Sequence, residues 1–212
     1  MSGNLRKAVL LVIDVQNDFC PGGKLEVKEG DKVIPVINQI MGKFPRIVAT
    51  QDWHPQNHIS FASNHKDKNV FDSVTVNGIE QTLWPDHCVK GSDGADFHYL
   101  LDRRFFDLIL RKGTQPELDS YSAFFENDKT TSTGLAYFLK GLGIEDVYVG
   151  GLATDFCVFY TAMDSVKLGF NTFFVVDASR GVNVPEGRVE KAVRDMKNAG
   201  ISVVNSKELI FM

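Results

Sequence analysis

The chain has 212 residues, of which 43% are hydrophobic and 24% charged, and its net charge at pH 7 is -4. This composition is typical of a folded globular protein and excludes an intrinsically disordered chain. The acidic balance argues against a nucleic-acid binder, which usually carries a basic excess, so we expect a small-molecule partner. The length favours one domain over residues 1–212.

The first element is an apolar run over residues 8–13, rich in branched side chains, which predicts a strand buried on both faces of a parallel sheet. The run is too short for a signal peptide or a membrane span, so we expect no membrane association. Apolar residues at helical spacing follow in residues 31–43, with Pro35 tolerable only in the first turn. Residues 46–50 predict a second strand.

Residues 51–104 are rich in Asn, Asp, Gly and His and show little periodicity. We interpret them as a long loop region with a short hairpin around residues 74–78. Long irregular insertions in a compact domain are usually functional, which marks this region for closer attention.

The rest of the chain alternates strand-like and helix-like segments. Strands are predicted at residues 105–110, 146–150, 172–176 and 201–204, and helices at residues 132–142, 156–168 and 186–198. This alternation predicts a doubly wound, mostly parallel six-stranded α/β sheet with helices on both faces.

The chain has three cysteines, Cys20, Cys88 and Cys157, and no C-x-x-C pair. An odd number without a paired motif argues against a disulfide framework and favours a reducing, cytoplasmic location. We interpret Cys20 and Cys88 as packed thiols.

Chemically active side chains follow three of the predicted strands. Ligand sites in open α/β sheets lie beyond the carboxyl ends of the strands, where Asp14, Lys112 and Cys157 are expected. Cys157 is the candidate nucleophile, in the first turn of a helix that Thr154 or Asp155 would cap and that would lower the thiol pKa. Alone, each of these residues more often has a structural role; their joint placement favours a nucleophile with Asp14 as its base.

A second group has the composition of a metal site. Asp52 and His54 are two residues apart after the second strand and point to the same side of an extended chain, and His87 lies in the loop region. Two histidines and a carboxylate with open positions suit zinc, iron or manganese. His58 is an alternative or supporting residue, and a lone loop histidine is more often simply hydrogen-bonded.

Phe19, Trp84 and Tyr121 are loop aromatics near the same strand ends. They either line a pocket for a flat ring or pack the loops down. The nucleotide-binding glycine motif, the P-loop and the G-x-S-x-G motif are absent from the sequence, so a nucleotide cofactor and a serine hydrolase are unsupported.

Across about residues 8–204 the chain resembles the isochorismatase-like cysteine hydrolase superfamily, and within it the nicotinamidases (pyrazinamidases). Six stretches in the same order carry the resemblance: DVQNDF with PGG from residue 14, TQDWHP from residue 50, WPDHCV from residue 84, KGT from residue 112, YSAF from residue 121 and GGLATDFCV from residue 150.

The resemblance implies a triad of Asp14, Lys112 and Cys157. It also implies one divalent metal, zinc first with iron or manganese as alternatives, that orients the pyridine nitrogen of nicotinamide. The implied metal ligands are Asp52, His54 and His87. Ser60 stands where some relatives have a further ligand, and it could hold a metal-bound water.

The same resemblance implies that Phe19, Trp84, Tyr121 and Ala153 contact the substrate. A cis peptide between Leu152 and Ala153 is expected, turning the backbone amides of Ala153 and Cys157 inward as an oxyanion hole.

The implied reaction converts nicotinamide and water to nicotinate and ammonia through a thioester, as in NAD salvage, with pyrazinamide as a further substrate. One alternative is a cysteine amidohydrolase of the same fold acting on a carbamoyl or ureido group. Isochorismatase itself needs no nucleophilic thiol, so Cys157 disfavours it. Another alternative is a non-catalytic ligand-binding module. The sequence leaves assembly into a homo-oligomer open.

Overall fold

The computed structural model describes residues 5–210. Eight strands are formed in this part of the chain: β1 (Ala8–Ile13), β2 (Ile47–Asp52), β3 (Ser73–Val76), β4 (Ile79–Thr82), β5 (Leu108–Lys112), β6 (Asp146–Leu152), β7 (Asn171–Arg180) and β8 (Ser202–Val204). Five α-helices accompany them: α1 (Val33–Met41), α2 (Leu135–Gly141), α3 (Phe159–Lys167), α4 (Arg188–Asn198) and α5 (Ser206–Ile210).

Six strands form one sheet in the order β5-β2-β1-β6-β7-β8, and every neighbouring pair is parallel. The predicted doubly wound fold is therefore confirmed. The strand order reverses between β1 and β6, and crevices at such a switch point are where open α/β sheets bind ligands.

Strand β1 is buried along its whole length because helices cover both faces of the sheet. Its alternate residues Leu10 and Val12 pack in one apolar cluster with α1, whereas Leu11 and Ile13 pack in a second cluster with residues of α2, α3 and α4. Burial on both faces explains why the sequence of β1 is continuously apolar rather than alternating.

The ends of β1 and β6 lie side by side at the switch point. Ile13 pairs with Gly151, where a Cβ atom would lie 2.1 Å from the carbonyl oxygen of Ile13 and where φ is +123°. Only glycine fits this position. The close approach places the residues after β1 next to the residues after β6.

The predicted third strand was misplaced. Residues 103–105 form a 3-10 turn in which the Asp102 side chain accepts a hydrogen bond from the Arg104 amide, and β5 begins only at Leu108. Strand β2 ends later than predicted, at Asp52 rather than at residue 50. Asp52 and Lys112 are therefore the last residues of their strands, rather than residues that follow them, and they are directly paired in register.

The predicted hairpin in the loop region is present as β3 and β4, joined through Asn77 and Gly78 at positive φ. This pair of conformations is the turn that Asn-Gly favours in two-residue hairpins. The predicted helix at residues 156–168 begins instead with a π-helical turn over Thr154–Val158 that continues into α3, and α5 was not predicted. None of the helices between residues 5 and 210 combines the length and apolar character needed to cross a membrane.

Candidate active site

The ammonium of Lys112 lies at the centre of a buried cluster. Its Nζ atom is 2.9 Å from Oδ2 of Asp14 and 3.4 Å from Sγ of Cys157, and it donates to the carbonyl oxygen of Ser120 at 3.0 Å. It also donates to Oδ1 of Asp52. The structure thus brings together the three residues predicted from the strand ends, and it joins them to the carboxylate of the second predicted group.

Asp14 is held by the neighbouring strand. It is the first residue after β1, at φ +48°, and its amide donates to Oγ1 of Thr50, whose hydroxyl donates to Oδ1 of Asp14 at 2.5 Å. Its Oδ2 atom is paired in charge with Lys112 but accepts no hydrogen bond of good geometry. A carboxylate oxygen of Asp14 lies within 4.8 Å of the Cys157 sulfur, which keeps Asp14 as the candidate base for this thiol.

The pKa of the Cys157 thiol is raised, whereas the sequence predicted that it would be lowered. Burial raises the pKa of the Cys157 thiol well above its usual range; Lys112 opposes the rise, but Asp14 and Asp52 add to it. Burial likewise raises the pKa of Asp14, against the opposing charge of Lys112. With its pKa raised, Cys157 is a protonated thiol at rest, so a nucleophilic role would require a base, and a carboxylate with a raised pKa is better suited to that task.

The predicted caps at the start of this helical segment were also wrong. The N-cap is Ala153, and no side chain caps the turn. The Thr154 hydroxyl is instead hydrogen-bonded to Ser179 at 2.7 Å, and the Asp155 carboxylate accepts from the amides of Val182 and Asn183 at 2.9 Å each. Both side chains fasten the turn to the chain around the end of β7, which positions Cys157 at the sheet edge. The Leu152–Ala153 peptide is cis, as expected.

The predicted metal-ligating residues converge beside this cluster. One ligand atom from each of Asp52, His54 and His87 lies within 4.8 Å of the other two, and all three residues are buried. The Nδ1 atoms of His54 and His87 contact the carbonyl oxygens of Gly113 and Pro85, both at 2.8 Å. A carbonyl oxygen only accepts, so Nδ1 carries the proton in each ring and Nε2 is left to bind a metal.

The glycine after Lys112 permits the His54 contact. A Cβ atom on Gly113 would lie 2.4 Å from Cε1 of the His54 ring, and the φ of Gly113 is +59°.

Burial lowers the pKa of His87 to about 4, so its imidazole is neutral, the form that ligates metals. For His54, burial lowers the pKa, but Asp52, Asp119 and the Gly113 carbonyl together raise it above its usual value, so a metal would compete there with a proton. The donor set fits one divalent metal ion.

A second layer of polar residues backs the histidines. The ring of His58 stacks on that of His54 with centroids 4.1 Å apart, and its Nδ1 contacts Oγ of Ser60 at 2.7 Å. Asp119 offers a carboxylate oxygen within 4.8 Å of ligand atoms of His54 and His58. Ser60 thus lies beside the predicted metal ligands, hydrogen-bonded to His58. The sequence interpretation missed Asp119, which no recognised stretch contains.

A cleft with an empty volume of about 390 Å³, including its open mouth, leads to Cys157. Its lining includes all four predicted substrate-contacting residues: Phe19, Trp84, Tyr121 and Ala153. The indole Nε1 of Trp84 donates to the Tyr121 hydroxyl at 3.2 Å. Phe156, which was not singled out from the sequence, meets Trp84 edge-on with centroids 4.8 Å apart. Its place beside Cys157 in the helical turn was the signal that could have identified it.

Comparison with known proteins identifies the family of this chain. The family model described as the isochorismatase domain matches residues 8–208. The chain belongs to the isochorismatase family. A curated relative from Acinetobacter baylyi, called "Nicotinamidase", is 48% identical over 95% of this chain and 94% of its own length.

Solved structures agree with this family assignment. A structure described as an Acinetobacter baumanii nicotinamidase and pyrazinamidase is 47% identical and superimposes with a TM-score of 0.95, covering 98% of this chain and all of that one. The pyrazinamidase of Pyrococcus horikoshii in complex with zinc is 38% identical, with a TM-score of 0.77 over 94% of this chain and 99% of its own.

Proposed function

We propose that this chain is a nicotinamidase, which hydrolyses the carboxamide of nicotinamide to nicotinate and ammonia, and that it also deamidates pyrazinamide. The observation that carries this function is the contact of one buried ammonium, that of Lys112, with Asp14, Asp52 and Cys157 at the end of an aromatic cleft. Relatives named for this activity match nearly the whole chain.

The first half of the reaction forms a thioester. Asp14 takes the proton of the Cys157 thiol, and the sulfur attacks the carboxamide carbon to form a C–S bond. The amides of Ala153 and Cys157 are proposed to hold the developing oxyanion. As the C–N bond breaks, Asp14 returns the proton to the nitrogen, which leaves as ammonia.

The second half is hydrolysis of the thioester. Asp14 takes a proton from water, whose oxygen attacks the same carbon. The C–S bond then breaks, Asp14 passes that proton to the departing sulfur to restore the thiol, and the nicotinic acid released ionises to nicotinate. Lys112 keeps its proton throughout: burial lowers its pKa, but Asp14, Asp52 and Cys157 together raise it well above the usual range. Its fixed charge stabilises the thiolate and orients Asp14.

We propose that Asp52, His54 and His87 hold one divalent metal ion, with zinc as the first choice because a relative was solved in complex with zinc. When bound, such an ion supplies a Lewis acid that orients the ring nitrogen of the substrate. Phe19, Trp84 and Tyr121 then enclose the ring faces and exclude water. A carbamoyl or ureido substrate would have no ring nitrogen for this donor set, which disfavours that alternative.

Cys157→Ala tests the covalent route. We expect it to abolish ammonia release from nicotinamide, since no thioester can form, while the variant keeps the metal content of the wild type. The buried Cys88→Ala is the matched control and should retain activity. Normal turnover in Cys157→Ala would overturn the nucleophile assignment, and a wild type that releases no ammonia would overturn the function itself.

A further inference from the structure

A second cleft adjoins the substrate cleft. It has an empty volume of about 790 Å³, including its open mouth, and lies between the β3–β4 hairpin and the loop after β5. Its lining, among the described residues, contains the carboxylates of Glu117, Asp119 and Asp128 and no basic side chain. The catalytic steps proposed above make no use of it.

Asp119 is common to the linings of the two clefts. Its Oδ2 atom accepts a hydrogen bond from Nε2 of Gln81 at 2.8 Å, and its Oδ1 accepts from the amide of Ser120 at 2.8 Å. Gln81 also lines the second cleft, and the Ser120 carbonyl contacts Lys112. The partition between the clefts is therefore a polar side-chain layer next to the catalytic lysine.

The proposed reaction, on which this inference rests, requires an exchange of small molecules in mid-cycle. Ammonia must leave and water must enter while the acyl group is still bonded to Cys157. The substrate-cleft lining is more than nine-tenths buried except at Leu25, Tyr121 and Val182, which are only half-buried and therefore mark the mouth. A ring bonded to Cys157 thus lies between the thiol and that mouth.

We propose that the second cleft is the route by which ammonia leaves and the hydrolytic water enters during the thioester stage. Its acidic lining suits a small cation, because ammonia that leaves the active site becomes ammonium at neutral pH. The amide and carboxylate groups of Gln81 and Asp119 offer hydrogen-bond partners along the way.

The test narrows the second cleft without touching the catalytic residues. Val76 on β3 lines this cleft, and the adjacent Thr75 is exposed and points to the opposite side of the hairpin. Val76→Trp should fill part of the cleft, and Thr75→Trp is the matched control with the same added bulk. Ile79→Phe, from β4, is a second filling variant in case Val76→Trp does not fold.

The measured quantity is the incorporation of isotopically labelled ammonium into nicotinamide during turnover. Labelled ammonia attacks the thioester carbon, a C–N bond forms, the C–S bond breaks, and Asp14 passes the nitrogen's surplus proton to the thiolate, which regenerates labelled nicotinamide. Val76→Trp and Ile79→Phe should lower both kcat and label incorporation severalfold. Their Kd for nicotinate should be unchanged, because the substrate cleft is untouched.

The proposed route would be wrong if both filling variants kept the label incorporation and the kcat of the wild type. A structure of each variant would confirm that the added side chain lies in the cleft. An equal loss in Thr75→Trp would also overturn the route, because the effect would then belong to the hairpin and not to the cleft. Failure of the proposed function is a separate result: the wild type would then form neither ammonia nor labelled nicotinamide.

Discussion

The site is built from two regions that the fold supports differently. The rim cluster consists of Asp14, Lys112 and Cys157. Asp14 directly follows β1, Lys112 ends β5, and Cys157 lies in the π-helical turn after β6, so their backbone positions are held by the central sheet and that turn. The loop cluster, His54, Ser60 and His87, belongs to the long irregular segment between β2 and β5 and is held mainly by local contacts to carbonyl oxygens and side chains. Asp52, the last residue of β2, joins the two clusters: it contacts Lys112, and one of its carboxylate oxygens lies within 4.8 Å of ligand atoms of His54 and His87.

From this difference we expect the rim cluster to carry out the chemical steps and the loop cluster to bind the metal and the substrate. Changes in the rim cluster should remove the reaction and disturb the fold, because its charges are wholly buried and compensate one another. Changes in the loop cluster should remove metal and weaken substrate binding while the sheet stays folded. The following four predictions test that separation, from the largest expected effect to the smallest.

Lys112→Met should abolish activity and lower the free energy of unfolding by about 3 to 5 kcal/mol, because two buried carboxylates lose their cation. The measurement is urea denaturation of chelator-treated protein alongside an ammonia assay. Arg111→Met is the control: it removes the neighbouring, exposed cation, which stacks on Trp53, and should cost no more than about 1 kcal/mol. Equal losses in the two variants would contradict a special role for the rim cluster.

His54→Ala should release the metal and raise KM for nicotinamide, since one of three proposed ligands is gone. Elemental analysis and steady-state kinetics measure the two effects. The metal-free variant should lose less stability than Lys112→Met. His65→Ala removes another loop histidine, which contacts the Ile59 carbonyl, and should keep both metal and KM. A His54→Ala protein with full metal content would show that the loop cluster is not the metal site.

The pH profile of kcat/KM tests the base. Activity should rise with pH as Asp14 ionises, and the midpoint should lie above the usual aspartate value of about 3.9, because burial raises the pKa of this carboxyl. Thr50→Val removes the hydroxyl that stabilises the charged form and should move the midpoint further up. A midpoint unmoved by Thr50→Val would argue that another group controls the acid limb.

Ser60→Ala should have the smallest effect. The Ser60 hydroxyl contacts His58 and not a proposed ligand, so its loss acts on the metal indirectly, with an expected fall in metal affinity of about 10-fold. Competition with a metal chelator measures it. Ser63→Ala removes an exposed hydroxyl of the same loop and should leave the affinity unchanged. A larger loss than in His54→Ala would make Ser60 a direct ligand.

The two regions also differ in how far the sequence alone predicted them. The apolar run of β1 and the strand–helix alternation gave the sheet, and the rule that sites follow strand ends selected Asp14, Lys112 and Cys157 before any family likeness was used. For the loop cluster, spacing gave only a weak signal. His87 is separated from His54 by more than thirty residues without periodicity, and its assignment depended on the resemblance.

The sequence by itself determined the order of the elements, the doubly wound sheet and the identity of the reactive side chains, because periodicity and residue chemistry are local properties of the chain. Only the tertiary structure decided their charge states and partners. Register places Asp52 beside Lys112, Asp155 fastens the helical turn instead of capping it, and Asp119 joins two clefts. Burial and charge pairing depend on groups that are far apart in the chain. For this reason the raised pKa of the Cys157 thiol could not be predicted from its neighbours in sequence.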